Sequence, residues 1–176
     1  EHYELDCLIF ASGFEFGPDI TRRSGFDTVG RDGETLADHW SDGMRTLHGI
    51  HVHGFPNLFI IGITQAANLI SNITHNLSEA GATIAAVVGH AVETGAAEVE
   101  VTAEAEEAWL AQLDSSTGLF GNLDCTPGYY NNEGQPFSER DRLNGARYAG
   151  GPVAYFEHID RWRRAGTFDG LAFRPA

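Results

Sequence analysis

The residues Gly54-Phe-Pro-Asn-Leu-Phe-Ile-Ile-Gly62, with the segment 63–76 that follows them, determine the fold class that this sequence predicts. Residues 58–61 form a short apolar run, bounded by Pro56-Asn57 before it and Gly62 after it. Such a run is typical of a strand buried on both faces, as in a parallel sheet. A glycine between this strand and a helix lets the backbone approach a ligand closely. We therefore predict an α/β fold with this strand at its centre and a polar loop leading into a long helix.

Helical periodicity is clearest from about Asn68 to Thr94. Apolar residues recur there at intervals of three and four: Leu69, Ile73, Leu77, Ala80, Ile84, Val87, Val88 and Val92. Gly95 is a natural end for this helix. The remaining pattern predicts strands at 5–13, 26–29, 49–53 and 98–102, helices at 35–40, 103–114 and 153–165, and a docked tail at 171–173.

Composition excludes several classes of function. The formal net charge of −14 comes from 25 acidic and 11 basic residues. This balance argues against a nucleic-acid surface, which needs Lys and Arg to neutralise phosphates. No apolar run approaches the roughly 20 residues of a membrane span, and the start has no signal-peptide pattern. We expect neither a nucleic-acid partner nor a membrane segment.

The cysteine and histidine residues indicate a cytoplasmic protein without a metal site. Cys7 and Cys125 form no CxxC pair and no disulfide framework, which fits a reducing compartment. His48, His51 and His53 lie close in sequence, but no carboxylate or thiolate nearby completes a zinc ligand set. We therefore expect no metal.

Three segments could carry function, and each has a purely structural alternative. The run 8–14 ends in Ala-Ser-Gly, which suits a crossing between domains as well as any buried strand ended by glycine. Backbone N–H groups after Gly62 could face an anion or a flavin's polar edge, although an ordinary strand-to-helix turn is the more usual reading. The loop 124–136 is rich in aromatic, amide, Gly and Pro residues, which favours a binding loop or lid over a structural turn.

Taken together and in this order, these segments resemble the C-terminal part of Baeyer–Villiger monooxygenases, the class B flavoprotein monooxygenases of the phenylacetone and steroid monooxygenase type. The matching pieces are Asp6-Cys-Leu-Ile-Phe-Ala-Ser-Gly-Phe14, Gly30-Arg-Asp-Gly-Glu-Thr-Leu36 with Trp40, Gly54-Phe-Pro-Asn-Leu-Phe59, Cys125-Thr-Pro-Gly-Tyr-Tyr-Asn-Asn-Glu-Gly134, Tyr148-Ala-Gly-Gly151, and Tyr155 through Trp162 to Gly166, Gly170 and Phe173. The chain departs from the family pattern at Ser12, where Thr is usual, at Ile63, where Pro is usual, and near Cys125, where some relatives carry a Trp.

The resemblance implies that residues 1–176 are the C-terminal portion of a Rossmann-like FAD-binding domain, with parallel strands, a long helix after the central strand and an irregular lid loop at about 121–136. The N-terminal FAD motif and the NADPH domain are absent from this chain, which opens in a buried-looking strand at Glu1. We therefore expect a fragment of a longer protein, inactive alone. Its partners would be the remaining N-terminal part of that protein, a small-molecule ketone and O2.

The family's activity uses FAD and NADPH to insert one oxygen atom beside a ketone carbonyl, giving an ester or lactone. The resemblance implies cofactor contacts at Gly62, Thr64, Asn72 and Ile73. It implies a substrate pocket and lid formed by Gln65, Ala66, Ala67, Asn68, Leu69, Cys125, Tyr129, Tyr130, Asn131 and Asn132. It implies no catalytic residue in this chain.

Two other functions remain open at the sequence level. One is an N- or S-oxidising flavin monooxygenase, which shares the same cofactors. The other is a non-enzymatic acidic α/β module that binds a partner and carries no flavin.

Overall fold

The computed structural model describes residues 2–11, 24–68, 71–116, 126–128 and 131–176. The described helices and strands, in chain order, are α1 (Leu36–His39), α2 (Ile73–Thr94), β1 (Glu98–Val101), α3 (Ala103–Leu110), β2 (Leu113–Asp114), α4 (Glu139–Asn144), β3 (Arg147–Tyr148), α5 (Gly151–Ala165) and β4 (Leu171–Arg174). Short 3-10 turns lie at Arg31–Gly33 and Asn132–Gly134.

The long helix α2 confirms the strongest periodic signal in the sequence. It begins at Ile73 rather than near Asn68, because the side chain of Asn72 accepts hydrogen bonds from Thr74 N at 2.9 Å and His75 N at 3.3 Å. This cap satisfies two of the N–H groups that every helix start leaves without a partner. Gly95 ends the helix in the left-handed region, with φ of 70°.

The predicted tail is a strand. β4 pairs antiparallel with β1, placing Phe173 opposite Val99 and Leu171 opposite Val101. β2 and β3 form a second antiparallel pair. The described residues therefore confirm a mixed helix-and-strand fold, while both of their sheets are antiparallel rather than parallel.

The prediction of a fully buried strand at 58–61 was wrong. Phe59 makes a single antiparallel bridge with His51, the N–H of Ile60 donates to the carbonyl of Ile50 at 2.8 Å, and Ile61 is 61% exposed. An apolar run is buried on both faces only when neighbours cover both, and no described strand lies along its second edge. The strand expected at 49–53 is accordingly reduced to isolated bridges.

The N-terminal prediction also failed within the described range. Residues 2–11 have no regular secondary structure and are exposed, with Ile9 at 80% and Phe10 at 84%. The apolar pattern of this segment therefore does not correspond to burial within the described ranges. Ser12 and Gly13, which complete the predicted strand, lie outside the described residues. The strand expected at 26–29 is reduced to one bridge between Val29 and Thr35.

The main core lies between α3, α5 and the loop before α2. It contains Leu47, Ala66, Ala67, Val101, Trp109, Tyr155 and Ile159. Helix α5 is also tied to α2 by an ion pair of 2.6 Å between Arg163 and Glu79. In the described part of the chain, no helix combines the length and apolar character needed to cross a membrane.

Ion pairs fasten the turn Arg31–Gly33 to the β1–β4 pair. Arg174 Nη1 lies 2.6 Å from a carboxylate oxygen of Glu98 and 2.5 Å from one of Glu100. Arg31 contacts the same two carboxylates. Because Glu100 is buried, its charge needs these two guanidinium groups to offset the loss of solvation.

Replacing Ile159, which is 1% exposed, by alanine should lower the free energy of unfolding by about 2–5 kcal/mol, because the lost side chain leaves a cavity. The matched control is Val153→Ala on the same helix, where the side chain is 71% exposed and the change should stay below about 0.5 kcal/mol. Urea denaturation measures both. Equal losses in the two variants would contradict the position of the core.

Candidate functional site

The turn that connects Gly62 to α2 has an unusual backbone. Gln65 and Asn68 both adopt the left-handed region, with φ of 55° and 58°. Asparagine tolerates this conformation better than most residues, whereas glutamine rarely adopts it. Non-glycine residues persist there only when the surrounding structure holds them, and they concentrate at functional sites.

The side chain of Gln65 provides that hold. It is 0% exposed, and its Oε1 accepts a hydrogen bond from Thr46 Oγ1 at 2.6 Å. Its Nε2 donates to the carbonyls of Met44 and Leu143. The backbone N–H of Gln65 donates to the carbonyl of Ala146 at 2.7 Å. One residue thus joins segments that are far apart in sequence.

The rest of the turn is equally buried. Ala66, Ala67 and Asn68 are 5%, 2% and 1% exposed. The carbonyl of Ala66 accepts from the N–H of Tyr148 at 3.0 Å, and the carbonyl of Asn68 accepts from Asn76 Nδ2 at 3.1 Å. These contacts lock the turn to β3 on one side and to the first turns of α2 on the other.

An aromatic layer supports the turn from behind. Trp109 Nε1 donates to the carbonyl of Gln65 at 3.1 Å, and the indole stacks on Tyr148 with centroids 5.2 Å apart. The rings of His48 and Trp109 are perpendicular, with centroids 4.6 Å apart, and Tyr155 donates its hydroxyl to the carbonyl of His48 at 3.0 Å. The hydrogen bonds of Trp109 and Tyr155 satisfy their polar atoms, so these two buried rings form a rigid support.

Gly49 explains how closely two loops approach each other. A Cβ at this position would lie 2.6 Å from the carbonyl oxygen of Thr64, and its φ of 75° also disfavours other residues. The segment that carries His48 therefore packs directly against the start of the turn.

Burial keeps the histidines behind the turn neutral. Burial lowers the pKa of His48 well below its ordinary value, and the nearby His51 and His158 lower it further. Burial lowers the pKa of His51 to about 4. His48 Nε2 lies 3.4 Å from His158 Nε2, so one ring donates to the other when both are neutral.

The residues predicted to contact a cofactor lie at the two ends of the turn. Gly62 is half-buried, and a Cβ built there would meet no atom within 4 Å. Thr64 is also half-buried, with its hydroxyl 3.1 Å from the sulfur of Met44. Asn72 and Ile73 are exposed at the start of α2. The turn therefore has accessible surface at its two ends, whereas residues 65–68 in its middle are buried.

The residues predicted to line a pocket or form a lid have mixed positions. Gln65, Ala66, Ala67 and Asn68 are buried within the protein's own core. Asn131 is 2% exposed, and its Oδ1 accepts from the N–H of Gly128 at 2.9 Å. Asn132 is half-buried, with its Nδ2 3.2 Å from the carbonyl of Pro136. Leu69, Cys125, Tyr129 and Tyr130 lie outside the described residues.

Sequence reasoning missed the groups that hold the turn in place. Thr46, Trp109 and the carbonyls of Met44, Leu143 and Ala146 make the decisive contacts. No sequence signal marks backbone carbonyls, although a tryptophan inside a short amphipathic helix could have been flagged as an anchor. Across the ranges that the structure describes, no group of three or more His, Cys, Asp or Glu side chains could hold a metal ion.

Curated relatives cover nearly the whole chain. It is 44% identical over 176 residues to pentalenolactone D synthase of Streptomyces exfoliatus, covering 98% of this chain and 30% of that protein. It is 37% identical to Baeyer–Villiger monooxygenase 4 of a Dietzia species, covering 99% of this chain and 28% of that protein. A Baeyer–Villiger monooxygenase of Streptomyces coelicolor is 43% identical, with 98% and 28% covered. No family model matches the chain.

Solved structures share the fold. The polycyclic ketone monooxygenase of Thermothelomyces thermophila superposes with a TM-score of 0.71 at 31% identity, over 89% of this chain and 25% of that one. A steroid monooxygenase bound to NADP superposes with a TM-score of 0.66 at 24% identity, over 88% of this chain and 27% of that one. At this identity the second match supports the fold alone.

The fold and the relatives define the class as flavoprotein monooxygenases. Within that class the chain belongs to the Baeyer–Villiger monooxygenase family, and it spans about 30% of the length of the curated relatives that it matches.

The buried histidines predict acid sensitivity. A histidine whose folded pKa is lowered contributes its full stability above about pH 6.5, and that stability is lost as the pH falls, because the unfolded state binds protons first. For His51 the loss is complete near its folded pKa of about 4 and amounts to about 3 kcal/mol. Urea midpoints measured between pH 7 and pH 4 should fall steadily. The variant His51→Leu should show a shallower fall, and identical slopes in both proteins would refute the assignment.

Proposed function

We propose that this chain is the C-terminal portion of the FAD-binding domain of an FAD- and NADPH-dependent Baeyer–Villiger monooxygenase. In the proposed reaction one atom of O2 enters the C–C bond beside a ketone carbonyl, giving an ester or lactone. The other atom leaves as water, and NADPH with one proton supplies the two electrons that this requires. The observation that carries the proposal is 44% identity to pentalenolactone D synthase over 98% of the chain.

The proposed cofactor contacts are Gly62, Thr64, Asn72 and Ile73. The open space beside Gly62 and the exposed start of α2 favour the approach of a planar ring system. The start of a long helix carries the positive end of its dipole, which suits the electron-rich polar edge of a flavin. FAD would supply the oxygen-activating chemistry, and these residues would orient it.

The proposed substrate wall begins at Ala66, Ala67 and Asn68 and continues to Leu69. The two alanines have small side chains, and their burial keeps the proposed wall rigid. Cys125, Tyr129, Tyr130, Asn131 and Asn132 belong to the proposed lid, at about 121–136. The hydrogen bond from the N–H of Gly128 to Asn131 Oδ1 supports local order in the described part of the proposed lid.

The proposed partner is the remaining N-terminal part of the same protein. One face of α2 exposes apolar side chains, with Ile73 at 46%, Leu77 at 38%, Val88 at 42% and Val92 at 75%. A Cβ added at Gly81 or Gly89 would meet no atom within 4 Å, so another element could pack closely against this helix. An exposed apolar helix face favours a protein contact. The cytoplasm is the proposed location.

The activity can be tested on the protein that carries this chain. Purified protein should be yellow, should oxidise NADPH faster when a cyclic or polycyclic ketone is present, and should form the ester or lactone detected by mass spectrometry. Oxidation of a sulfide or an amine without any ester product would favour the N- or S-oxidising alternative. A colourless protein that binds no added FAD would overturn the proposal and favour a binding module.

The start of α2 offers a residue-level test. Asn72→Ala removes the cap that orders the first turn, so FAD should bind about five- to tenfold more weakly. The matched control is Thr102→Ala, which removes the cap of α3, where Thr102 Oγ1 accepts from Ala105 N at 3.2 Å. Flavin fluorescence titration measures both affinities. Equal weakening in the two variants would contradict a cofactor contact at Asn72.

A further inference from the structure

The burial of Gln65, in the middle of the turn, does not fit its predicted role in a substrate wall. Gln65 is fully buried, and its side chain contacts protein groups on every polar atom. No surface of this side chain remains for a substrate. Its neighbour Thr64 is half-buried at the open end of the same turn. The amide therefore acts on the site through the backbone that it holds.

We infer that Gln65 is a positioning residue, whose buried amide fixes Thr64 and the start of α2 in the geometry required for oxygen transfer to the substrate. This inference rests on the proposed function, because it assigns Gln65 a role in the same cofactor-facing turn. It moves Gln65 from the substrate wall to the support behind that wall.

The chemistry of the contacts requires an amide at this position. Oε1 must accept from the hydroxyl of Thr46, while Nε2 must donate towards the carbonyls of Met44 and Leu143. A carboxylate would face two carbonyl oxygens and repel them, and an apolar side chain would leave buried polar atoms without partners. Only a side chain that is both donor and acceptor satisfies the whole set.

The backbone conformation makes the position sensitive to that amide. Gln65 has φ of 55°, a strained value for a residue with a long side chain. Such a conformation persists while side-chain contacts over-determine it, and it relaxes when they are removed. The N–H donating to Ala146 and the carbonyl accepting from Trp109 would then rotate, and Thr64 would move with them.

Displacement of the turn should change the product that the electrons of NADPH form, while NADPH is still oxidised. NADPH and one proton can reduce O2 to hydrogen peroxide without any ketone, giving NADP⁺ and balancing both electrons. A displaced turn should favour this outcome, because oxygen transfer requires the ketone in a near-attack geometry and reduction of O2 does not. The ratio of ester formed to NADPH oxidised therefore reports the position of the turn.

The test compares Gln65→Met with Thr83→Val in the FAD-loaded protein that carries this chain. Thr83 is also 0% exposed, and its hydroxyl donates a partly buried hydrogen bond of 2.8 Å to the carbonyl of Glu79 within α2. Both variants lose buried polar contacts. Gln65→Met should lower the ester-to-NADPH ratio about tenfold, with hydrogen peroxide making up the difference, whereas Thr83→Val should keep the ratio of the unchanged protein.

A second variant covers the case in which Gln65→Met does not fold. Gln65→Glu can donate to the carbonyl of Met44 only while its carboxyl group is protonated, so its ester-to-NADPH ratio should recover as the pH is lowered. The unchanged protein gives the reference ratio at each pH. Recovery supports the inference only in protein that circular dichroism shows to be equally folded at each pH, because protonation of a buried carboxylate also restores stability.

The contrary outcomes are distinct. An FAD-loaded Gln65→Met variant with an unchanged ratio, or a Gln65→Glu ratio that follows the unchanged protein at every pH, would overturn the positioning role and leave the proposed function standing. An unchanged protein that binds no FAD or forms no ester would overturn the proposed function, and this inference with it.

Discussion

The buried amide of Gln65 is the constraint on which the neighbouring architecture depends. It holds a strained turn against segments from distant parts of the chain, near Thr46 and near Leu143. Trp109 of α3 closes the arrangement from behind by donating to the same residue's carbonyl. The start of α2, the position of α3 and the β2–β3 pair are thereby fixed relative to one another, because each contributes or receives a hydrogen bond at this turn.

The elements that the sequence predicts well are those whose signals are local. The periodicity of α2 and its end at Gly95 lie within one segment, and so does the amphipathic pattern of α5. The buried strands at 58–61 and 5–13 failed for the opposite reason. An apolar run indicates that burial is favourable, but burial also requires neighbouring strands. Among the described strands, none pairs with the second edge of the segment that contains Ile61.

In the candidate site too, the features with local sequence signals could be predicted and the long-range contacts could not. A run of apolar residues, a glycine and a helix start locate a backbone turn, and the structure does contain one between Gly62 and α2. The inward direction of the Gln65 side chain could not be predicted, because it follows from a left-handed backbone that no residue pattern encodes. Its partner Leu143 lies 78 residues further along the chain, so the contact exists only in the folded molecule.

The burial of the turn has a consequence for how substrate range can diversify. Ala66 and Ala67 belong both to the proposed substrate wall and to the main core, so a larger side chain at either position would overpack that core. Selection for a new ketone, in nature or in a directed-evolution library, would therefore encounter losses of stability at these two alanines. The described residues 126–128 and 134–136, most of which are exposed, would accept change more readily. Variation in substrate preference should accumulate there while the turn stays constant.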